Sequence, residues 1–226
     1  SIYGGRIQPF NFKGEEGILF TTSEVEINNP NMNSQNDNSS FGKILFFNKN
    51  TKDKIIYSRG HRNPHGLLVD NENNVVLSTE HGPRGGDEIN KIEFNQNYGW
   101  PLASYGERYT RNDLNPDLEY KKNHTDNGFI EPIYSFIPSI GISEIIKIPN
   151  SFSKKWQDNY FVTSLNDKSL YRVNFSKDFT KLVYLEKIYV GNRIRDIKYD
   201  FTNRMFILSL QDSNQIGFLF NDERKN

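Results

Sequence analysis

The 226-residue chain contains no cysteine, which excludes disulfides, thiol nucleophiles and zinc–thiolate centres together. It has no excess of either charge: 28 Lys and Arg stand against 28 Asp and Glu. That balance argues against a nucleic acid or other polyanion as partner. No apolar run approaches the roughly 20 residues of a membrane span. The chain starts at Ser1 without methionine and shows no signal peptide, so a processed or shortened chain is expected. Ala103 is its only alanine, and long helices would be short of their best former.

Aromatic residues are abundant, with 17 Phe and 12 Tyr. They suit pleated, half-buried strands, and the many asparagines suit turns. Strand-like runs recur in sets. Gly5–Asn11, Gly17–Ser23, Gly42–Asn48 and Lys54–Arg59 form the first. His65–Asp70, Val75–Glu80, Glu88–Phe94 and Glu131–Ile137 form the second. Ser143–Pro149, Asn159–Leu165, Ser169–Asn174 and Leu182–Val190 form the third. Ile194–Asp200, Met205–Leu210 and Gln215–Phe220 form a fourth set, one strand short. Only Ser151–Gln157 reads as a helical turn.

The sets resemble one another. "GLLVDNENNVVLSTE", "EIIKIPNSFSKKWQDNYFVTSL" and "RDIKYDFTNRMFILSL" each run strand, polar turn, strand. Such self-similarity predicts a β-propeller of four-stranded antiparallel blades over a β-sandwich. The expected blades are residues 1–60, 61–138, 139–191 and 192–226 of a single domain. The loops Glu26–Phe41 and Gly99–Gly128 interrupt them, the first low in complexity and expected to be mobile.

The stretch Arg59–Tyr105 carries the most chemistry. "HRNPHG" sets an arginine and an asparagine just before a strand. "EHGPRGGDEIN" is a Gly/Pro turn whose carbonyls cannot all pair within a sheet, followed by Asp87 and Glu88. An oxygen-rich turn of this kind suits calcium, with a tight turn beside a solvated acidic pair as the alternative.

"GHRNPHGL", "EHGPRGGDEIN" and "NYGWP", in this order and spacing, closely resemble the soluble glucose/sorbosone (aldose sugar) dehydrogenases that depend on pyrroloquinoline quinone (PQQ). "GGRI" at Gly4–Ile7 and "RIRD" at Arg193–Asp196 fit the same family. The resemblance implies a six-bladed propeller, of which about four blades are present as an open arc lacking its N-terminal part. It implies PQQ and calcium as cofactors, an aldose sugar as substrate and a periplasmic or secreted location. It implies that Arg62 and Asn63 polarise the quinone. The carbonyls of Gly82 and Pro83 would ligate one calcium, and Glu88 with the Tyr98 backbone a second. Arg193 and Arg195 would hold the cofactor's carboxylates from one face of an alternating strand. Tyr134 and Ser139 fall near cofactor-lining positions.

The sequence also departs from the family. Ile2 stands where the general base belongs, Val25 where a cofactor-contacting glutamine belongs, and Asn166, near Lys168, where a lysine belongs. The expectation is a chain that is inactive as it stands, with a non-catalytic ligand- or protein-binding propeller as the alternative. An arc that cannot close would leave "QIGFLF" as an apolar edge and would self-associate. Tyr98 and Trp100 read as packing anchors, His65 as a turn residue, His81 as orienting the carbonyl turn, and His124 as a solvated loop residue.

Overall fold

The computed structural model describes residues 4–24, 32–108 and 119–221. Ile2 and Val25 lie outside the described residues. The chain divides into two compact units, residues 1–139 and 140–226.

The first unit holds two sheets. In one, β1 (Ile7–Phe12), β2 (Glu15–Thr22), β3 (Lys43–Asn48) and β4 (Lys54–Arg59) pair antiparallel in chain order. In the other, β5 (Pro64–Asp70), β6 (Val75–Glu80) and β7 (Asp87–Lys91) do the same. The two-residue strand β8 (Gln96–Asn97) pairs in parallel with β4 and so returns to the first sheet. β9 (Tyr134–Phe136) completes the second. Sequence reading anticipated each of these but β8, whose two residues show no alternation.

The second unit repeats the design. β10 (Ile142–Lys147), β11 (Tyr160–Ser164), β12 (Ser169–Phe175) and β13 (Leu182–Tyr189) form a four-stranded meander. β14 (Ile194–Asp200), β15 (Met205–Leu210) and β16 (Gln215–Phe220) form a three-stranded one. Ile216, Phe218 and Phe220 are exposed on β16, spaced by two as strand alternation requires. A single turn of 3₁₀ helix at Lys154–Trp156 stands where a helical turn was expected.

Each unit has its own core. Leu19, Ile44, Phe46, Leu67, Val76 and Tyr98 pack together in the first. Phe152, Phe161, Ile194, Ile197 and Phe206 pack in the second. The Phe161 and Phe206 rings meet edge to face at 5.1 Å, an orientation that ring quadrupoles favour.

The loop 32–41 corrects one expectation. It is not loosely held: the Ser34 hydroxyl and the Gln35 amide both donate to the Trp100 carbonyl, at 2.9 and 2.6 Å. Lys43 is fully buried and its ammonium donates to the carbonyls of Asn33, Ser34 and Phe41. Low complexity in this segment reflects polar side chains that satisfy buried backbone groups.

Candidate functional site

Arg62 and Asn63 enter β5 from a buried bend, and Glu80 at the end of β6 holds that bend in place. Its Oε2 accepts the Arg62 backbone N–H at 2.6 Å. Its Oε1 faces His61 Nδ1 at 3.1 Å, while His61 Nε2 meets the Ser58 hydroxyl at 2.8 Å. With a carboxylate on Nδ1, the imidazole is set to donate there and to accept from Ser58. His61, Ser58 and Glu80 are all buried. The bend therefore depends on one carboxylate for a backbone and a side-chain partner.

The Arg62 side chain leaves this bend between two restraints. Nη1 donates to the His81 carbonyl at 2.9 Å, and the guanidinium lies 5.2 Å from the Trp100 ring centre. Asn63 Oδ1 accepts from Ser23 at 2.6 Å, which turns its amide N–H₂ the other way. Gly4 donates to Ser23 in turn. A Cβ on Gly4 would stand 2.0 Å from the Pro64 carbonyl oxygen, so that close approach requires glycine. Arg6 Nε donates to the His65 carbonyl at 2.6 Å. The "GGRI" segment thus braces the start of β5.

The turn after β6 folds back on itself. A Cβ on Gly82 would lie 2.1 Å from the Gly86 carbonyl oxygen, and Gly86 has φ +70°. Asp87 accepts the Gly82 N–H at 3.0 Å. Among the described residues the Gly82 carbonyl accepts no hydrogen bond, and the Pro83 carbonyl receives only the long 3.5 Å contact from Ser139. Beneath the turn lies a buried acidic group. Asn90 Nδ2 donates to Glu80 and Glu88 at 3.2 and 3.3 Å, while its own Oδ1 has no hydrogen-bond partner. Burial pushes the Glu88 carboxyl well up from the usual carboxylate range, and Glu80 adds to the shift. His124 is buried, not solvated, with Nε2 3.8 Å from Glu88. Burial lowers its pKa. Its loop folds inward because Glu131 accepts the His124 N–H at 3.1 Å.

Arg62, Gly82, Pro83, Glu88 and Tyr98 line one small cavity together with Glu80 and Trp100. Its free space of ≈ 10 Å³ is about that of one water. Tyr98 is buried with its hydroxyl on the Lys91 carbonyl at 2.6 Å, which confirms it as an anchor. Ser139 reaches the site through Pro83. Tyr134 is half exposed on β9 and does not line the cavity.

In the second unit Arg193 and Arg195 lie at the start of β14, where the register shifts between Ile194 and Asp196. Arg193 precedes the strand and Arg195 sits in the bulge. Both reach one turn: Arg193 Nε lies 3.8 Å from Asp212, and Arg195 donates to Gln211 at 2.7 Å. Lys168 joins them, 2.7 Å from Asp212.

The family description "Glucose / Sorbosone dehydrogenase" matches residues 2–217. The chain belongs to the glucose/sorbosone dehydrogenase family. It is 31% identical over 163 residues to the aldose sugar dehydrogenase YliI of Escherichia coli, covering 71% of this chain and 42% of that protein. It is 28% identical to the quinoprotein glucose dehydrogenase B of Acinetobacter calcoaceticus, covering 68% of this chain and 28% of that one. A crystal structure of glucose dehydrogenase superposes with TM-score 0.80 and 26% identity, over 97% of this chain and 64% of that one. The chain thus spans less than half the length of these curated relatives. The antiparallel meanders are β-propeller blades.

Sequence reading singled out Arg62, Asn63, Gly82, Pro83, Glu88 and Tyr98, and the fold brings them into one neighbourhood. It missed Glu80, Asn90, Ser58 and His61 as supports, and His124 as a buried neighbour. The "GHRN" and "STE" segments held the first signal: a histidine and a glutamate at strand ends that pair across a hairpin. Among the described residues, no group of three or more His, Asp or Glu is arranged to hold a metal ion. No helix among them is long and apolar enough to cross a membrane.

Proposed function

We propose that this chain is part of a sugar dehydrogenase that binds pyrroloquinoline quinone and calcium and acts on an aldose. The convergence of Arg62, Gly82, Pro83 and Glu88 on one cavity carries the reading, and the quinoprotein relative supports it. The donors suit calcium: two carbonyls free of backbone partners, an unpartnered Asn90 oxygen and the buried Glu88 carboxyl. The residues also suit a polycarboxylate quinone. Lys168, Arg193 and Arg195 form a cationic group in the second unit able to take carboxylates. When bound, the quinone supplies the hydride acceptor and calcium a Lewis acid.

The chain's own residues supply orientation and charge. Arg62 is held by Glu80, the His81 carbonyl and Trp100, so its guanidinium can stabilise an oxygen that gains negative charge without first reorganising. Asn63, turned by Ser23, presents N–H donors for the same purpose. Ile2 cannot take a proton from a sugar hydroxyl, and loss of a general base costs about 10²–10⁴-fold. Binding with little oxidation is the expected behaviour of this sequence, which keeps a ligand-binding propeller as the second reading. A periplasmic or secreted location follows from the same resemblance.

Melting in millimolar calcium and in chelator, with and without the quinone, tests this. Calcium at a hundred times its Kd stabilises by about 2.7 kcal/mol, or roughly 5–10 °C in a chain of this size. Glu88→Ala should remove the shift, and Ile2→His should raise sugar-dependent dye reduction. Identical midpoints and a flat quinone titration would refute the proposal.

A further inference from the structure

The geometry points to a second ligand site in the first unit, a cleft at the ends of β5 and β6 remote from Arg62, that takes a neutral polyhydroxylated ring such as a pyranose. The cleft has a volume of ≈ 350 Å³, at the small end of the roughly 300–1,000 Å³ of small-molecule sites. It opens beside the turn Asn71–Asn74, whereas Arg62 and Glu80 lie at the other ends of the same strands. Seven residues of β5 separate the two, or roughly 20 Å. The inference does not rest on the quinone or calcium reading.

Phe10, Tyr57 and Phe94 form an aromatic wall, with Tyr57 5.5 Å from Phe10 and 5.6 Å from Phe94. Such a wall suits the C–H face of a sugar ring. The Tyr57 ring is buried against this wall, and its hydroxyl, at the cleft, makes no hydrogen bond among the described residues. Burial and then the charge of Glu93 push its pKa up, so it stays a donor at neutral pH. A hydroxyl without a protein partner at the wall of a cleft is open to donate to a ligand acceptor. At the rim, the side-chain amides of Asn71 and Asn74 are exposed and make no hydrogen bond among the described residues. Each can donate and accept, as hydroxyl groups require.

The charges favour a neutral ligand. Lys91 and Glu93 pair at 3.1 Å and cancel locally. Asp70 is committed to its own turn, accepting from Glu72 and Asn73. Lys13 already stands 5.1 and 5.0 Å from the Phe12 and Phe94 rings, which opposes a second cation. Glu93 opposes an anion.

Protein-observed NMR titration with D-glucose, maltose, choline and citrate decides it. Glucose or maltose should shift residues 57, 69–76 and 91–94 in the millimolar range. Tyr57→Phe, which keeps the ring, should weaken binding about three- to tenfold, and Phe94→Ala should weaken it further. Arg62→Ala should leave this binding unchanged, which separates it from the site at Arg62. No shifts with either sugar, equal affinity in Tyr57→Phe, or preference for choline or citrate would overturn the assignment.

Discussion

Hairpin β5–β6 turns at Asp70–Val75 and hairpin β14–β15 at Asp200–Met205, and the two turns match in detail. Asp70 Oδ1 accepts the N–H groups of Glu72 and Asn73, and its Oδ2 the Asn73 amide. Asp200 does the same with Thr202 and Asn203. Asn74 and Arg204 then take φ +50° and +52°. At the other end the hairpins part. Pro64 pairs with Glu80, whereas the equivalent Ile194 pairs with Leu210. Around Glu80 the first hairpin buries His61, Arg62, Asn63 and Asn90, while the second buries Ile194, Ile197 and Phe206. One blade repeat can therefore bury a polar or an apolar cluster at its strand entry, and Glu80 against Leu210 marks the difference. The cost of the site is a cluster of buried polar groups that must satisfy one another.

Exchanging those two residues is the strongest way to break the comparison. Glu80→Leu should remove the acceptor of His61, the Arg62 N–H and Asn90, and destabilise by about 3–5 kcal/mol in urea unfolding. Leu210→Glu, at a half-exposed position, should cost about 1 kcal/mol or less. Equal costs would mean that Glu80 holds nothing that Leu210 does not. Glu80→Gln keeps the volume and should fall between them, with weaker quinone binding.

The shared turn offers a smaller test. Asp70→Ala should cost about 1–2 kcal/mol, because a buried carboxylate loses several bonds at once. Asp200→Ala should cost less, since Asp200 is only partly buried. Hydrogen bonds from Asn203 lower the Asp200 pKa. Its contribution is thus present above the usual aspartate range and fades as pH falls through the lower folded value. The Asp200→Ala difference should shrink in acid, and a pH-independent difference would contradict the turn assignment.

The smallest effect separates the units by pH. The first unit buries a lysine, and among the described residues the second buries Glu144 as its one charged side chain. Burial brings the Lys43 pKa down to about 8. Between that value and the usual lysine range the unfolded chain holds more protons, so stability should rise with pH there. In Lys43→Met the rise should flatten. A wild-type profile already flat from pH 8 to 9.5 would show that the three carbonyls fully offset the burial.

The sequence by itself determined the strands and the repeat, and its motifs singled out residues that the fold gathers around one small cavity. Alternation and Asp-to-Asn turns act over a few residues, so Val75–Glu80 and Met205–Leu210 are legible where they stand. The motif residues Arg62, Gly82 and Glu88 were legible because their order along one stretch is itself the signal. Tertiary structure alone decided which polar residues are buried. His124 reads as a loop residue, yet Glu131 draws its backbone inward against Glu88. Arg193 and Arg195 read as neighbours on one strand, and only the fold shows that Gln211 and Asp212 of the next turn are what both side chains meet. Glu80 ends an apolar strand and looks like a solvated terminus. It becomes the support of Arg62 because packing excludes water there, and a carboxylate without water must take its hydrogen bonds from the protein.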